Sequence, residues 1–210
     1  MGSCFTKRRA IEGKTVMTEN EVLAEFQAAG ALLEGHFILS SGLRSSRYLQ
    51  CARVLMNPAR AAKLANALAE SLPPEIRESI QVVVSPAMGG IIIGHEMGRA
   101  LSVDAMFVER PDGVFQLRRG FALQPGTKIL MVEDVVTTGL SSREAIKAIE
   151  AEGGVVVAGA SLIDRSGGTA DLGVPFFPLI RLSVPTYKVD ELPPELAAIP
   201  AVKPGSRAES

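Results

Sequence analysis

The chain has 210 residues, 47% hydrophobic and 21% charged, which suits one packed α/β domain and excludes a disordered protein. Its 22 Lys and Arg against 23 Asp and Glu leave a net charge of -1, so no bulk positive charge is available to hold nucleic acid. With 2 cysteines and 2 histidines it builds neither a disulfide scaffold nor a His-rich metal centre, and no apolar run reaches the roughly 18–20 residues of a membrane span.

Residues 1–16 (MGSCFTKRRAIEGKTV) are basic and lack apolar periodicity, and read as a disordered extension. Gly2 and Thr6 fit the short myristoylation pattern, with Cys4 as a second lipid site, but chance produces that pattern often. No apolar segment follows Lys7, Arg8 and Arg9, so the start is not a secretory signal, and the expected setting is cytoplasmic. Residues 17–210 are expected to form a single domain. Thr18 or Asn20 caps a helix whose apolar positions (22, 23, 26, 29, 32–33) keep helical spacing through residue 34, interrupted at Gly30. Residues 36–49 hold two strand-like runs around a Ser-Ser-Gly turn, a hairpin. Asn57-Pro58 opens a helix to about residue 71, closed by Pro73-Pro74.

A βαβα pattern follows. The β-branched run 80–85 (IQVVVS) predicts a strand buried on both faces, then a helix over 91–101 and a strand over 103–109. Residues 114–123 (VFQLRRGFAL) alternate like a hairpin arm. Residues 128–134 (KILMVED) predict a buried strand, VVTTGLSS a turn, and 143–153 an amphipathic helix ended by Gly153-Gly154. Strands are predicted over 155–164 and 176–184, then a short helix in DELPPELAAIP and a frayed tail from residue 201. Alternation of this kind gives a parallel sheet with helices on both faces, and ligands bind beyond the carboxyl ends of its strands.

The strongest chemical signal is 128–142, KILMVEDVVTTGLSS. An apolar strand ends in Glu133 and Asp134, and a hydroxyl- and glycine-rich turn leads into a helix. Thr137, Thr138, Ser141 and the amides around Gly139 can cradle one phosphate at the helix start. Two carboxylates repel a phosphate but accept hydrogen bonds from a vicinal diol, so the segment reads as a ribose-5-phosphate site. It is neither a Walker loop nor a dinucleotide fingerprint. His36 and His95 have no ligand partner at metal spacing and read as structural.

VEDVVTTGLSS resembles the phosphoribosyl-diphosphate signature of the type I phosphoribosyltransferases. Within that group, GHFILSSGLRSSRYLQ (35–50) resembles the N-terminal hood of the orotate phosphoribosyltransferase family, SPAMGGIIIG (85–94) its pyrophosphate loop, and SLIDR (161–165) its base-contacting strand end. The resemblance implies a central parallel sheet flanked by helices, a hood formed mainly by 18–56, a core over 57–184 and a C-terminal segment over 185–210. It implies transfer of ribose-5-phosphate from phosphoribosyl diphosphate to orotate, giving orotidine 5'-phosphate and pyrophosphate in pyrimidine biosynthesis. It further implies Mg²⁺ held mainly through substrate oxygens rather than by protein ligands, and a homodimer with shared active sites.

Carried onto this chain, the donor-binding set is Arg110, Met88, Gly89, Glu133, Asp134, Val135, Val136, Thr137, Thr138, Gly139, Leu140 and Ser141. Thr137, Arg165, Tyr48 and Leu49 meet orotate; Arg165 has the planar fork that matches a carboxylate or imide edge. Glu133 and Asp134 orient the ribose, and Arg118 and Arg119, in the mobile loop of 108–121, clamp the departing diphosphate. The chain departs from the family pattern in that loop, where lysines and a histidine are replaced, at Met88-Gly89, and at Ser40, each standing where the family has a lysine. These departures keep two alternatives in view: a purine-type phosphoribosyltransferase, and a non-catalytic regulator that binds an effector on the same fold.

Overall fold

In the computed structural model, which describes residues 17–39, 42–182 and 184–203, Thr18 starts α1 (Glu19–Ala28) with a capping box. The Glu21 amide donates to Thr18 Oγ1 at 3.3 Å, and the Thr18 amide donates to Glu21 Oε2 at 2.8 Å. The extension at 1–16, with Gly2, Cys4 and Thr6, and the hood position Ser40 lie outside the described residues. Gly30, with φ +59°, turns the chain, so the apolar pair at 32–33 that fits a continuing helix opens a strand instead. That strand, β1 (Leu32–Ile38), pairs antiparallel with β2 (Arg44–Leu49), giving the hairpin expected from the alternation.

Two one-turn helices that the periodicity did not reveal follow: α2 (Cys51–Leu55) and, after α3 (Pro58–Ser71), α4 (Pro74–Arg77). Elements this short carry too few residues to show a 3.6 period. The Asn57 side chain accepts from the Arg60 amide at 3.1 Å, and Pro58 occupies the first turn of α3, as its sequence predicts.

The core then alternates β3 (Val82–Pro86), α5 (Gly90–Leu101), β4 (Asp104–Glu109), β5 (Gln116–Leu117), β6 (Lys128–Val136), α6 (Leu140–Ala151), β7 (Val155–Asp164) and β8 (Phe176–Arg181). These strands form one sheet in the order β5-β4-β3-β6-β7-β8, parallel except for β5. Along β6, Leu130 and Val132 join the core under α1, α3 and α5, whereas Ile129 and Met131 join the one under α6. Burial on both faces explains the continuous apolar run.

Four local expectations are corrected. Strand β6 continues through Val135 and Val136, assigned to the turn by their sequence context, because both pair with β7 (Val135↔Ile163, Val136↔Asp164). Helix α6 begins at Leu140 rather than 143, directly after Gly139. Of the arm at 114–123 only Gln116 and Leu117 pair, with Glu109 and Val108. The first residues of the tail are paired, while 204–210 lie outside the described residues: after β9 (Thr186–Tyr187), a 3₁₀ turn (Val189–Glu191) and α7 (Pro194–Ala197), β10 (Ala201–Val202) pairs parallel with β1. A second sheet, β10-β1-β2-β9, results, so the hood draws on both ends of the chain.

Candidate active site

Strand β6 ends between two cavities that share lining residues. The smaller, about 250 Å³, is the cradle; it is lined by Arg110, Glu133, Val135 and residues 137–142, with Glu144. The larger, about 840 Å³, lies between the hood and the strand ends; Tyr48, Leu49, Gly89, Asp134 and Arg165 are in its wall. Val135, Thr137 and Thr138 line both. The two acids thus divide: successive residues of an extended strand face opposite sides, and Glu133 lines the cradle while Asp134 lines the larger cavity.

The cradle is a helix N-terminus opened by glycine. Gly139 precedes α6 with φ +73°, and a Cβ there would lie 3.2 Å from both Arg143 Nη1 and Leu172 Cδ1. The Thr138 hydroxyl accepts from the Leu140 amide at 3.3 Å. Arg110 reaches in from the end of β4, donating to Glu144 Oε2 at 2.6 Å and stacked 4.1 Å from the centre of the Phe115 ring. Such a site favours an anion.

Glu133 is 7% exposed. Burial, and then the charge of Asp134, raise its pKa to about 7; the neighbouring Ser142 hydroxyl and Arg110 oppose this without cancelling it. Glu133 Oε1 and Ser142 Oγ are buried with no hydrogen-bond partner. Burial also raises the pKa of Asp134, against the Val135 amide that donates to its Oδ1 at 3.0 Å.

Gly89 explains why the loop after β3 is glycine-rich. A Cβ on it would stand 2.8 Å from both Asp134 carboxylate oxygens, so only glycine lets the loop lie against that acid. The Ala87–Met88 peptide before it is cis. Met88 itself is 81% exposed and lines neither cavity.

Arg165 is half-buried in the larger cavity, and burial lowers its pKa from the usual guanidinium range. Its neighbour Asp164 is not its partner: that carboxylate is buried and accepts from the Ser166 amide and hydroxyl at 2.8 and 2.6 Å, with Arg181 at 3.6 Å. Arg165 therefore keeps its side chain for the cavity.

Several sequence candidates lie elsewhere. Val136 is 1% exposed, packed in the core under α6, and its carbonyl accepts from the Arg165 amide at 2.8 Å. Arg118 and Arg119 are exposed and line neither cavity; Arg119 donates to both Glu109 oxygens at 2.8 and 2.6 Å. Sequence reasoning missed Ser142 and Glu144 in the cradle, and Cys51, Ser166, Thr169 and Lys203 in the larger cavity. The Ser-Gly-Gly-Thr run directly after SLIDR was a usable signal for Ser166 and Thr169; nothing near Lys203 in the sequence points to a site.

A parallel sheet with an anion cradle and an acidic strand end defines a phosphoribosyltransferase-type protein, and residues 51–175 match the phosphoribosyl transferase domain family. The chain is 77% identical over 192 residues to the orotate phosphoribosyltransferase of Rhizorhabdus wittichii, covering 91% of this chain and 98% of that one. It is 72% identical over 193 residues to that of Novosphingobium aromaticivorans, covering 92% and 100%. The crystal structure of orotate phosphoribosyltransferase from Aeropyrum pernix, 26% identical, matches with a TM-score of 0.67 over 77% of this chain and 93% of that one. The chain belongs to the orotate phosphoribosyltransferase family.

Proposed function

We propose that the two cavities carry out the reaction of this family, transfer of the 5-phosphoribosyl group from phosphoribosyl diphosphate to N1 of orotate with release of pyrophosphate. The observation that carries this reading is that cradle and larger cavity meet the same residues, Val135, Thr137 and Thr138, at the end of β6. The donor's 5-phosphate takes the amides and hydroxyls of residues 137–141, and its sugar lies over the end of β6, with Glu133 on the cradle side and Asp134 on the side of the larger cavity. Glu133 Oε1 and Ser142 Oγ, neighbours buried without a geometrically closed hydrogen bond, support a polar occupant that would complete their bonding. Orotate lies over Tyr48 and Leu49, its anionic edge on Arg165 and the Thr137 hydroxyl.

The chemistry asks little of a nucleophile or base, since orotate attacks through its own ring nitrogen. Breaking the C1–O bond builds positive charge on the sugar and negative charge on the diphosphate. Asp134 faces the first, and the loop through Gly89 brings main-chain donors toward the second. Arg118 and Arg119 belong to the loop that would close on the diphosphate, Arg119 leaving Glu109 to do so. Mg²⁺ would be held mainly through substrate oxygens, with the Asp134 carboxylate as the hard oxygen donor that this cavity offers, and would supply charge neutralisation at the diphosphate.

A homodimer belongs to the same proposal. Met88, Ile92 and the apolar groove of Ile91, His95, Met106 and Phe107 lie beside the pyrophosphate loop, where a second copy would cover them. No helix among the described residues is long and apolar enough to cross a membrane, and the cytoplasmic setting is part of this reading.

Pyrophosphate release measured with the donor, Mg²⁺ and each of orotate, adenine, hypoxanthine and uracil tests it. Turnover with orotate, lost in Asp134→Asn with the fold intact, is the expected result. Turnover with a purine only would overturn the orotate reading, and donor binding without turnover on any base would favour a regulator.

A further inference from the structure

The larger cavity has a wall that its family signature does not predict. Strand β10 lies parallel to β1 in the register His36↔Ala201 and Phe37↔Val202. One step further, Lys203 comes opposite the end of β1, where Ile38 and Leu39 line the cavity, and Lys203 lines it with them. The segment is anchored there. His36 Nδ1 and the Ile199 carbonyl share a hydrogen bond of 2.9 Å, and Leu196 of α7 is 4% exposed against the hood. Among the described residues of the cavity wall the cations are Lys203 and Arg165, and the carboxylate is Asp134.

We propose that Lys203 is a substrate-binding residue, its ammonium meeting an anionic oxygen of the acceptor carboxylate or of the donor diphosphate. The inference rests on the function proposed above and adds to it a role for the end of the chain. Arg165 is a planar fork fixed at the strand end, whereas Lys203 is a point charge on a flexible stem entering from the hood side. The hood sheet is then part of the binding apparatus: its pairing with β10 is what carries this charge, remote in sequence from every other site residue, to the cavity.

Calorimetric titration of wild type, Lys203→Met and Lys203→Arg with orotate, with Mg²⁺-phosphoribosyl diphosphate and with inorganic pyrophosphate tests it. Lys203 is exposed, and melting temperatures of the variants, read alongside the titrations, separate a loss of binding from a loss of fold. The expected result is a loss of about tenfold or more in Lys203→Met, either in affinity for orotate or in affinity for the donor and pyrophosphate together, largely restored in Lys203→Arg. Loss for orotate alone assigns the carboxylate; loss for the donor and pyrophosphate assigns the diphosphate. Unchanged affinity for all three overturns the role of Lys203 and leaves the proposed function standing. Wild-type protein that binds pyrophosphate but neither substrate overturns the proposed function, and Lys203 is then judged on pyrophosphate. Wild type that binds none of the three overturns both.

Discussion

Replacing Glu133 by Gln should make the ligand-free protein more stable at about pH 8 and poorer as an enzyme. Glu133 is 7% exposed, and its pKa rises from 4.5 to about 7, chiefly by burial and then by repulsion from Asp134. Between those two values the folded state keeps the proton that the unfolded chain has lost. The contribution of this group to stability is therefore intact below pH 4.5, falls as pH rises, and is fully lost above about 7. At about 1.4 kcal/mol per pKa unit, the charged carboxylate costs the fold about 3 kcal/mol at alkaline pH. A glutamine does not titrate, so the stability advantage of Glu133→Gln over wild type should grow by about 3 kcal/mol between pH 4.5 and pH 8. Urea unfolding followed by circular dichroism, at fixed protein concentration and several pH values, reads this directly. An advantage independent of pH, or one that shrinks as pH rises, would refute the burial argument. Pyrophosphate release on the same variant should fall, because a ligand that supplies donors to the carboxylate gains from its charge.

Gly89→Ala places a methyl 2.8 Å from both Asp134 oxygens, so that acid or the loop must move; kcat/KM should drop by about 100-fold with little loss of secondary structure. Gly94→Ala acts on packing instead: its Cβ would lie 2.7 Å from Ser85 Cβ, where α5 crosses β3, and overpacking there should cost about 1–3 kcal/mol in urea unfolding. Arg165→Met should weaken orotate binding about tenfold to a hundredfold in calorimetry while leaving donor affinity near wild type. Equal loss for both ligands would mean that Arg165 shapes the cavity rather than meeting the base.

The strand runs, the capped start at Thr18, the opening of α3 at Asn57-Pro58 and the strand over 155–164 were legible because each is written locally, as a run of branched residues or a capping pattern. The cradle was legible for the same reason: strand end, hydroxyls, Gly139 and the helix start are contiguous in the chain. Short elements were not. Leu32 and Leu33 fit helix and strand equally until Gly30 turns the chain, and α2 and α4 are single turns.

Contacts between distant segments lay beyond the sequence. Nothing local shows that Arg119 meets Glu109, that Glu144 holds Arg110, or that Asp164 answers Arg181 and leaves Arg165 to the cavity. The sequence by itself determined the class of fold and the anion-binding turn, because periodicity and turn chemistry act over a few residues. Only the tertiary structure decided that Glu133 and Asp134 serve different cavities and that the C-terminal strand brings Lys203 to the larger one. Those outcomes depend on strand pairing and burial, which are properties of the packed sheet.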